Sequence, residues 1–250
     1  MRWTEEKIRF LRAAYERSFA NAALADWIVQ ELPRGSRLLD SGCGLGYLSL
    51  ELARRGMEAT ALDIDCAVLG VLAENLASKG IGHVSILCED AHAHRPSIPY
   101  DGAVFCFFGG IDDVMRMAKM QCRGDVFYIS RNYDHHRFSA GKHSVRYSGY
   151  RDAREALDRM NIPYTWQEMS LDMGQPFRNT DETRRFFALY SKDDPQLLSD
   201  AFVESRLIRT EDAGYPLFMP HWRPVGMIRF SARDIPDEYI PHTRMRRSCR

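Results

Sequence analysis

Residues 38–56 read LLDSGCGLGYLSLELARRG. A short apolar run, "SRLLD", ends at Asp40. Gly42, Gly44 and Gly46 follow, and then Leu48 and Leu52 recur at helical spacing. Glycine between a strand and a helix costs conformational entropy, so a bare main chain must serve something there. At the carboxyl end of a parallel strand, such a turn presents free N–H groups at a helix N-terminus, and a ligand can lie against it. A dinucleotide would favour G-x-G-x-x-G. That register fails, because Tyr47 stands at the third position; the pattern is D-x-G-x-G-x-G.

Working outward, the same rhythm repeats. Residues 58–63 and 83–90 read as short strands ending at Asp63 and near Asp90, with a helix at 67–79 between them. A fourth strand, 103–107, runs into Phe108, Gly109 and Gly110. A helix at 111–121 and a fifth strand at 124–130 follow. Short continuous apolar runs alternating with helices predict an α/β fold, with a parallel sheet covered on both faces. Residues 1–32 read as helices, with Ile8, Leu11, Ala14 and Tyr15 on one face. Beyond residue 131 the rhythm weakens. Residues 131–150 are polar and suggest a loop. Helices are expected at 151–160, 180–190 and 195–207, and strands at 164–174 and 225–230.

Three further signals join the glycine loop. Asp63 stands 23 residues after Asp40, at the end of the second strand, where a carboxylate can accept both hydrogen bonds of a ribose diol. "CEDA" places Asp90 and Ala91 after the third strand, and "YDGAVFCFF" forms the fourth. In this order and spacing the set resembles the class I S-adenosylmethionine-dependent methyltransferases, over residues 36–131. The resemblance implies a Rossmann-like seven-stranded methyltransferase sheet, mostly parallel with the last strand antiparallel, helices on both faces and an insertion in the C-terminal half. It implies S-adenosyl-L-methionine as cofactor and S-adenosyl-L-homocysteine as product. It implies cofactor contacts from Asp40, Gly42, Cys43, Gly44, Gly46, Asp63, Ile64, Asp90, Ala91 and Phe107. Tyr15 is a further candidate, capping the cofactor from the N-terminal helix.

One domain over 1–240 is expected, with 36–131 holding the cofactor. About 45 residues separate the last two strands, too many for a hairpin. Residues 172–216 are therefore expected to cover the substrate. Phe108, Gly109, Tyr133, Phe177 and Trp222 are candidate substrate-lining residues. No catalytic residue is encoded clearly, since methyl transfer often needs no general base. His135, His136 and His221 are the candidates.

Composition narrows the acceptor. Lys+Arg and Asp+Glu are both 34, so the formal net charge is zero and gives no sign of a nucleic-acid or membrane partner. The fourth strand lacks the [ND]-P-P-[YF] ending associated with exocyclic amines of bases, and Cys106 follows Phe105 rather than a proline. A small-molecule acceptor is the favoured reading. An RNA or protein methyltransferase, or a non-catalytic S-adenosylmethionine-binding module, are the alternatives. The oligomeric state is not encoded. The six cysteines form no C-x-x-C, which suggests reduced thiols, a cytoplasmic location and no metal site. The N-terminal stretch reads as amphipathic helix rather than signal peptide. No run approaches the ~18 apolar residues of a membrane span. Residues 241–250, rich in arginine, are expected to be a disordered tail.

Overall fold

The strands fold as their apolar runs dictate. In the computed structural model, which describes residues 3–134, 138–141, 149–193 and 198–239, seven of them form one sheet. These are β1 (Arg37–Ser41), β2 (Glu58–Asp63), β3 (Val84–Cys88), β4 (Tyr100–Cys106), β5 (Cys122–Arg131), β6 (Tyr164–Asp172) and β10 (Trp222–Ser231). Their order is β3-β2-β1-β4-β5-β10-β6. β1 to β5 pair in parallel, and β10 runs antiparallel to both β5 and β6. The expected seven-stranded topology is therefore present. The order reverses beside β1, and ligands of open α/β sheets bind at such a switch point.

Alternating side chains send two sets of apolar residues to opposite faces. On one face Ala103, Phe105, Val126, Tyr128 and Ile228 pack against Val114 and Ala118 of α5 (Ile111–Gln121) and Leu157 of α6 (Tyr150–Arg159). On the other, Leu38, Val104, Phe127 and Met227 pack against Leu24 and Ile28 of α2 (Ala20–Val29) and Leu48 and Leu52 of α3 (Tyr47–Arg54). α4 (Cys66–Lys79) closes over β2 through Leu72 and Leu76. The continuous apolar strands are those buried on both faces, which is why they lack alternation in the sequence.

Between β6 and β10 the chain builds a separate lobe. It holds α7 (Thr180–Tyr190), α8 (Asp200–Ser205) and a three-stranded antiparallel sheet, ordered β7 (Gln175–Phe177), β9 (Leu217–Met219), β8 (Ile208–Arg209). Asn179 starts α7, its side chain accepting the Glu182 N–H at 2.9 Å; Glu182 in turn accepts the Arg178 N–H. The lobe has its own core of Phe177, Phe186, Phe187, Val203 and Met219. Phe10, from α1 (Glu5–Tyr15), completes it.

α1 has two apolar faces. Phe10 meets Phe177 and Phe186 edge-on, at 6.2 and 5.2 Å between ring centres. Ile8, Leu11 and Tyr15 instead pack with Trp3 on Leu45, Tyr47, Val68 and Val71, beside the glycine loop. One helix thus joins the lobe to the half of the sheet that carries the motifs. The arginine-rich tail expected at 241–250 lies outside the described residues.

Candidate ligand-binding site

The glycine loop makes a turn that other residues adopt only under strain. Gly42, Gly44 and Gly46 have φ of 70°, 55° and 70°. The Gly42 and Cys43 N–H groups both donate to the Leu62 carbonyl, at 2.8 and 3.0 Å, which pins the loop to the end of β2. A Cβ on Gly42 would meet the Phe108 ring at 2.3 Å, and one on Gly44 would meet Trp3 at 3.2 Å. Flat apolar groups therefore lie directly on the main chain here.

Two carboxylates frame the loop. Asp63 ends β2, accepting the Gly44 N–H on Oδ2 at 2.9 Å and the Asp65 N–H on Oδ1 at 3.0 Å. Each oxygen keeps a further lone pair for a ligand. Asp40, one residue before the end of β1, is 1% exposed and accepts the Ser49 hydroxyl at 2.6 Å. Burial pushes its pKa up to about 6; the Ser49 hydrogen bond opposes this and the negative charge of Asp63 adds to it. Ile64, next to Asp63, is 71% exposed, an apolar shelf beside the carboxylate.

After β3 the chain turns tightly. Asp90 accepts the His92 N–H on its side chain at 2.9 Å, and its carbonyl accepts from Ala93 and His94. Ala91 is buried, and its carbonyl accepts from Gln121 Nε2 at 2.6 Å. A buried pair, His94 and Tyr100, closes the underside, with His94 Nδ1 2.9 Å from Glu89. The sequence reading missed Gln121, which bonds the Ala91 and His94 carbonyls, and His94, whose ring meets Glu89 and Tyr100.

One expectation about the cysteines is overturned. Cys66 and Cys88 form a disulfide, with Cα atoms 5.5 Å apart. β2 and β3 pair with Asp63 opposite Cys88, and this register brings the end of β3 to the start of α4. The bond ties the turn after Asp63 to the strand before Asp90. Cys43, Cys106 and Cys122 are free, and burial raises all three thiols.

The end of β4 forms the next wall. Phe107 has φ 54°, rare for an aromatic residue, and its N–H donates to the Ile129 carbonyl at 2.8 Å. This turns Phe107 outward, where the Arg223 guanidinium stacks on its ring at 3.9 Å. Phe108 folds over Gly42, and Gly109, at φ 73°, leads into α5. Tyr15 lies 5.2 Å from Tyr47 between ring centres. Burial pushes its phenol up to about 12, although the charge of Arg223 opposes the shift.

Asp40, Gly42, Cys43, Gly44, Gly46, Asp63 and Ile64 therefore come together with Phe107 and Phe108 around one edge of the sheet, and Asp90 and Ala91 adjoin through β3. Others fall elsewhere. Phe177 was expected to line the substrate cleft; it is fully buried in the core of the lobe. Trp222 is 59% exposed, and Tyr133 is half-buried just past β5. His221 is buried, its ring 4.9 Å from that of Phe138. His135 and His136 lie outside the described residues. Arg223, missed from the sequence, gives no local signal; only the pairing of β10 carries it to Phe107.

Residues 38–121 match the family model described as a methyltransferase domain. An S-adenosyl-L-methionine-dependent Diels-Alderase of Talaromyces variabilis is 49% identical over 41 residues, 16% of this chain and 13% of that protein. A ubiquinone biosynthesis O-methyltransferase of Aeromonas salmonicida is 33% identical over 84 residues, 32% and 35% of the two chains. A ribosomal RNA small subunit methyltransferase G of Nitrosococcus oceani is 28% identical over 97 residues, 38% and 45%. The chain thus spans less than half the length of each of these relatives. Among solved structures, the YcgJ protein of Bacillus subtilis superposes with a TM-score of 0.52 at 13% identity, covering 84% of this chain and 97% of that one. At that identity the likeness is one of fold. Among the described residues, no helix is long and apolar enough to cross a membrane.

Proposed function

This chain carries a domain of the class I S-adenosylmethionine-dependent methyltransferases, and from that premise we propose that it transfers a methyl group from S-adenosylmethionine to a small, partly apolar acceptor. The observation that carries the reading is the loop at Gly42–Gly44–Gly46, held open by positive φ and latched by its Gly44 N–H to Asp63. The residues fit the cofactor. Asp63 has lone pairs left for the ribose hydroxyls. Ile64 offers an exposed apolar surface beside them. Asp90 and Ala91 are the candidates for reading an adenine edge, and the bare main chain at Gly42 and Gly44 would meet the amino-acid portion where the Phe108 and Trp3 rings now lie against it. Asp40 is a buried acid to which a nearby positive charge is favourable.

When bound, the cofactor supplies a methyl group already activated by its sulfonium charge. The chain's own part is alignment and the exclusion of water. Phe107 and Phe108 wall the site at the end of β4. α1 packs beside the glycine loop, and the lobe is fastened to this N-terminal segment by Arg9–Glu182 and Arg185–Glu6 ion pairs at 3.6 and 3.3 Å, and by Arg17 with Asp212. The zero formal net charge favours a small molecule over a nucleic-acid acceptor. No side chain is assigned as general base.

The test is transfer of label from methyl-labelled S-adenosylmethionine to a fractionated cell extract. Label is expected in the small-molecule fraction. Label confined to RNA or protein would overturn the acceptor class, and bound cofactor with no transfer to any fraction would make the chain a binding module.

A further inference from the structure

We propose that Arg223 is the specificity residue of the acceptor site, and that the acceptor carries a carboxylate which this guanidinium receives. The inference rests on the methyltransferase reading and deepens it.

Arg223 stands near the start of β10, opposite Leu171 of β6. Because β10 runs against β5, this end of the strand lies at the ligand-binding edge of the sheet. Its Nε is buried and has no hydrogen-bond partner. Among the described residues its Nη1 reaches only the thioether sulfur of Met173, at 3.8 Å, a weak acceptor. Among the described residues no carboxylate lies within ion-pair distance of it. A buried guanidinium edge without an acceptor is costly, and such groups are ordinarily paired.

The groups around it do not supply the missing charge. Tyr15 and Cys106 feel the charge of Arg223, yet burial dominates both and keeps them protonated at neutral pH. Phe107 covers the flat face of the guanidinium at 3.9 Å. Stacking uses the face and leaves the in-plane N–H edge, which matches the two oxygens of a carboxylate.

The position is that of the acceptor rather than of the ribose or adenine. Phe107 follows β4, which lies on the opposite side of β1 in the sheet from β2 and β3, the strands that lead to Asp63 and Asp90. The lobe contributes a second polar group. Tyr190 stacks on Phe186 at 4.6 Å, and its hydroxyl is buried without a partner. Burial pushes the Tyr190 phenol up to about 12, and Tyr15 adds to the shift, so the hydroxyl stays protonated at neutral pH. An acceptor with an aromatic body and a carboxylate would answer to the stacked ring of Phe107 and the unpaired guanidinium edge, and the Tyr190 hydroxyl is a second unpartnered polar group in the lobe.

The experiment uses the full chain saturated with S-adenosylhomocysteine. Benzoate and 4-hydroxybenzoate are titrated by calorimetry against their uncharged amides. The wild type is expected to bind the carboxylates about ten- to a hundredfold more tightly than the amides. Arg223→Met is expected to abolish that difference while keeping S-adenosylhomocysteine affinity, which also reports folding. Arg223→Lys, a point charge without the fork, is expected to restore it only in part. The proposal is overturned if the wild type does not distinguish acid from amide, or if Arg223→Met still does. It is also overturned if Arg223→Met loses S-adenosylhomocysteine but not 5′-methylthioadenosine, which would assign the guanidinium to the cofactor's own carboxylate. Failure of the wild type to bind S-adenosylhomocysteine at all would remove the methyltransferase reading itself, and is seen before any variant is made.

Discussion

Asp40 retains its proton up to about pH 6 in the folded chain, whereas an unfolded aspartate releases it near pH 4. The folded state therefore binds the extra proton between those values, and stability falls as pH rises through that window, by on the order of 3 kcal/mol. Asp40→Asn removes the loss. At pH 7.5 the variant is expected to be more stable in urea by about 1–3 kcal/mol, and the slope of stability between pH 4 and 6 should flatten. An unchanged slope would show that Asp40 is ionised throughout. The same proton couples to ligand: a sulfonium favours the charged carboxylate, so S-adenosylmethionine affinity should rise with pH through about 6. S-adenosylhomocysteine, lacking that charge, should gain less. The residues of this site that were legible in sequence, from Asp40 to Ile64, lie on contiguous strand–turn–helix segments whose spacing is itself the signal. Arg223 and Gln121 were not legible, because each acts on residues that only the fold brings near.

Among the elements, helices of three turns were read well, because Ile111–Gln121 and Thr180–Tyr190 each show a clean apolar stripe ended by a change of composition. β7, β8 and β9 were missed, since strands of two or three residues carry no periodicity. The Cys66–Cys88 bond was missed for a related reason: it depends on the register of β2 against β3, not on the spacing of the cysteines. The bond closes a separation of 22 residues, and both cysteines are exposed to reductant. Cys88→Ser is expected to lower stability by about 3 kcal/mol. It should also weaken S-adenosylhomocysteine binding, because the segments carrying Asp63 and Asp90 are then joined only by strand pairing. Dithiothreitol should reproduce both effects in the wild type and neither in the variant. Equal melting with and without reductant would show that the bond contributes nothing.

Across the whole molecule, the cofactor half and the lobe are two cores joined by α1. The sequence suggests a covering insertion at residues 172–216, and within it Phe186 and Phe187 stand at adjacent positions of α7. Both are buried, at 4% and 0% exposure, in the core that Phe10 completes. Phe186→Ala and Phe187→Ala are each expected to lower stability by about 3–5 kcal/mol. A loss under 1 kcal/mol at either position would place that ring at a cleft. The cofactor candidates could be read from residues 36–131 because they are local in sequence, whereas the proposed acceptor contact joins Phe107 after β4 to Arg223 of β10, residues far apart in the chain. The central claim is that the glycine loop and Asp63 hold S-adenosylmethionine, and calorimetric titration of S-adenosylhomocysteine into the wild type and Asp63→Ala tests it most directly. One equivalent should bind the wild type, with the variant weakened about ten- to a hundredfold and NAD binding neither. Equal affinity in both proteins, or NAD binding as tightly as S-adenosylhomocysteine, would contradict it.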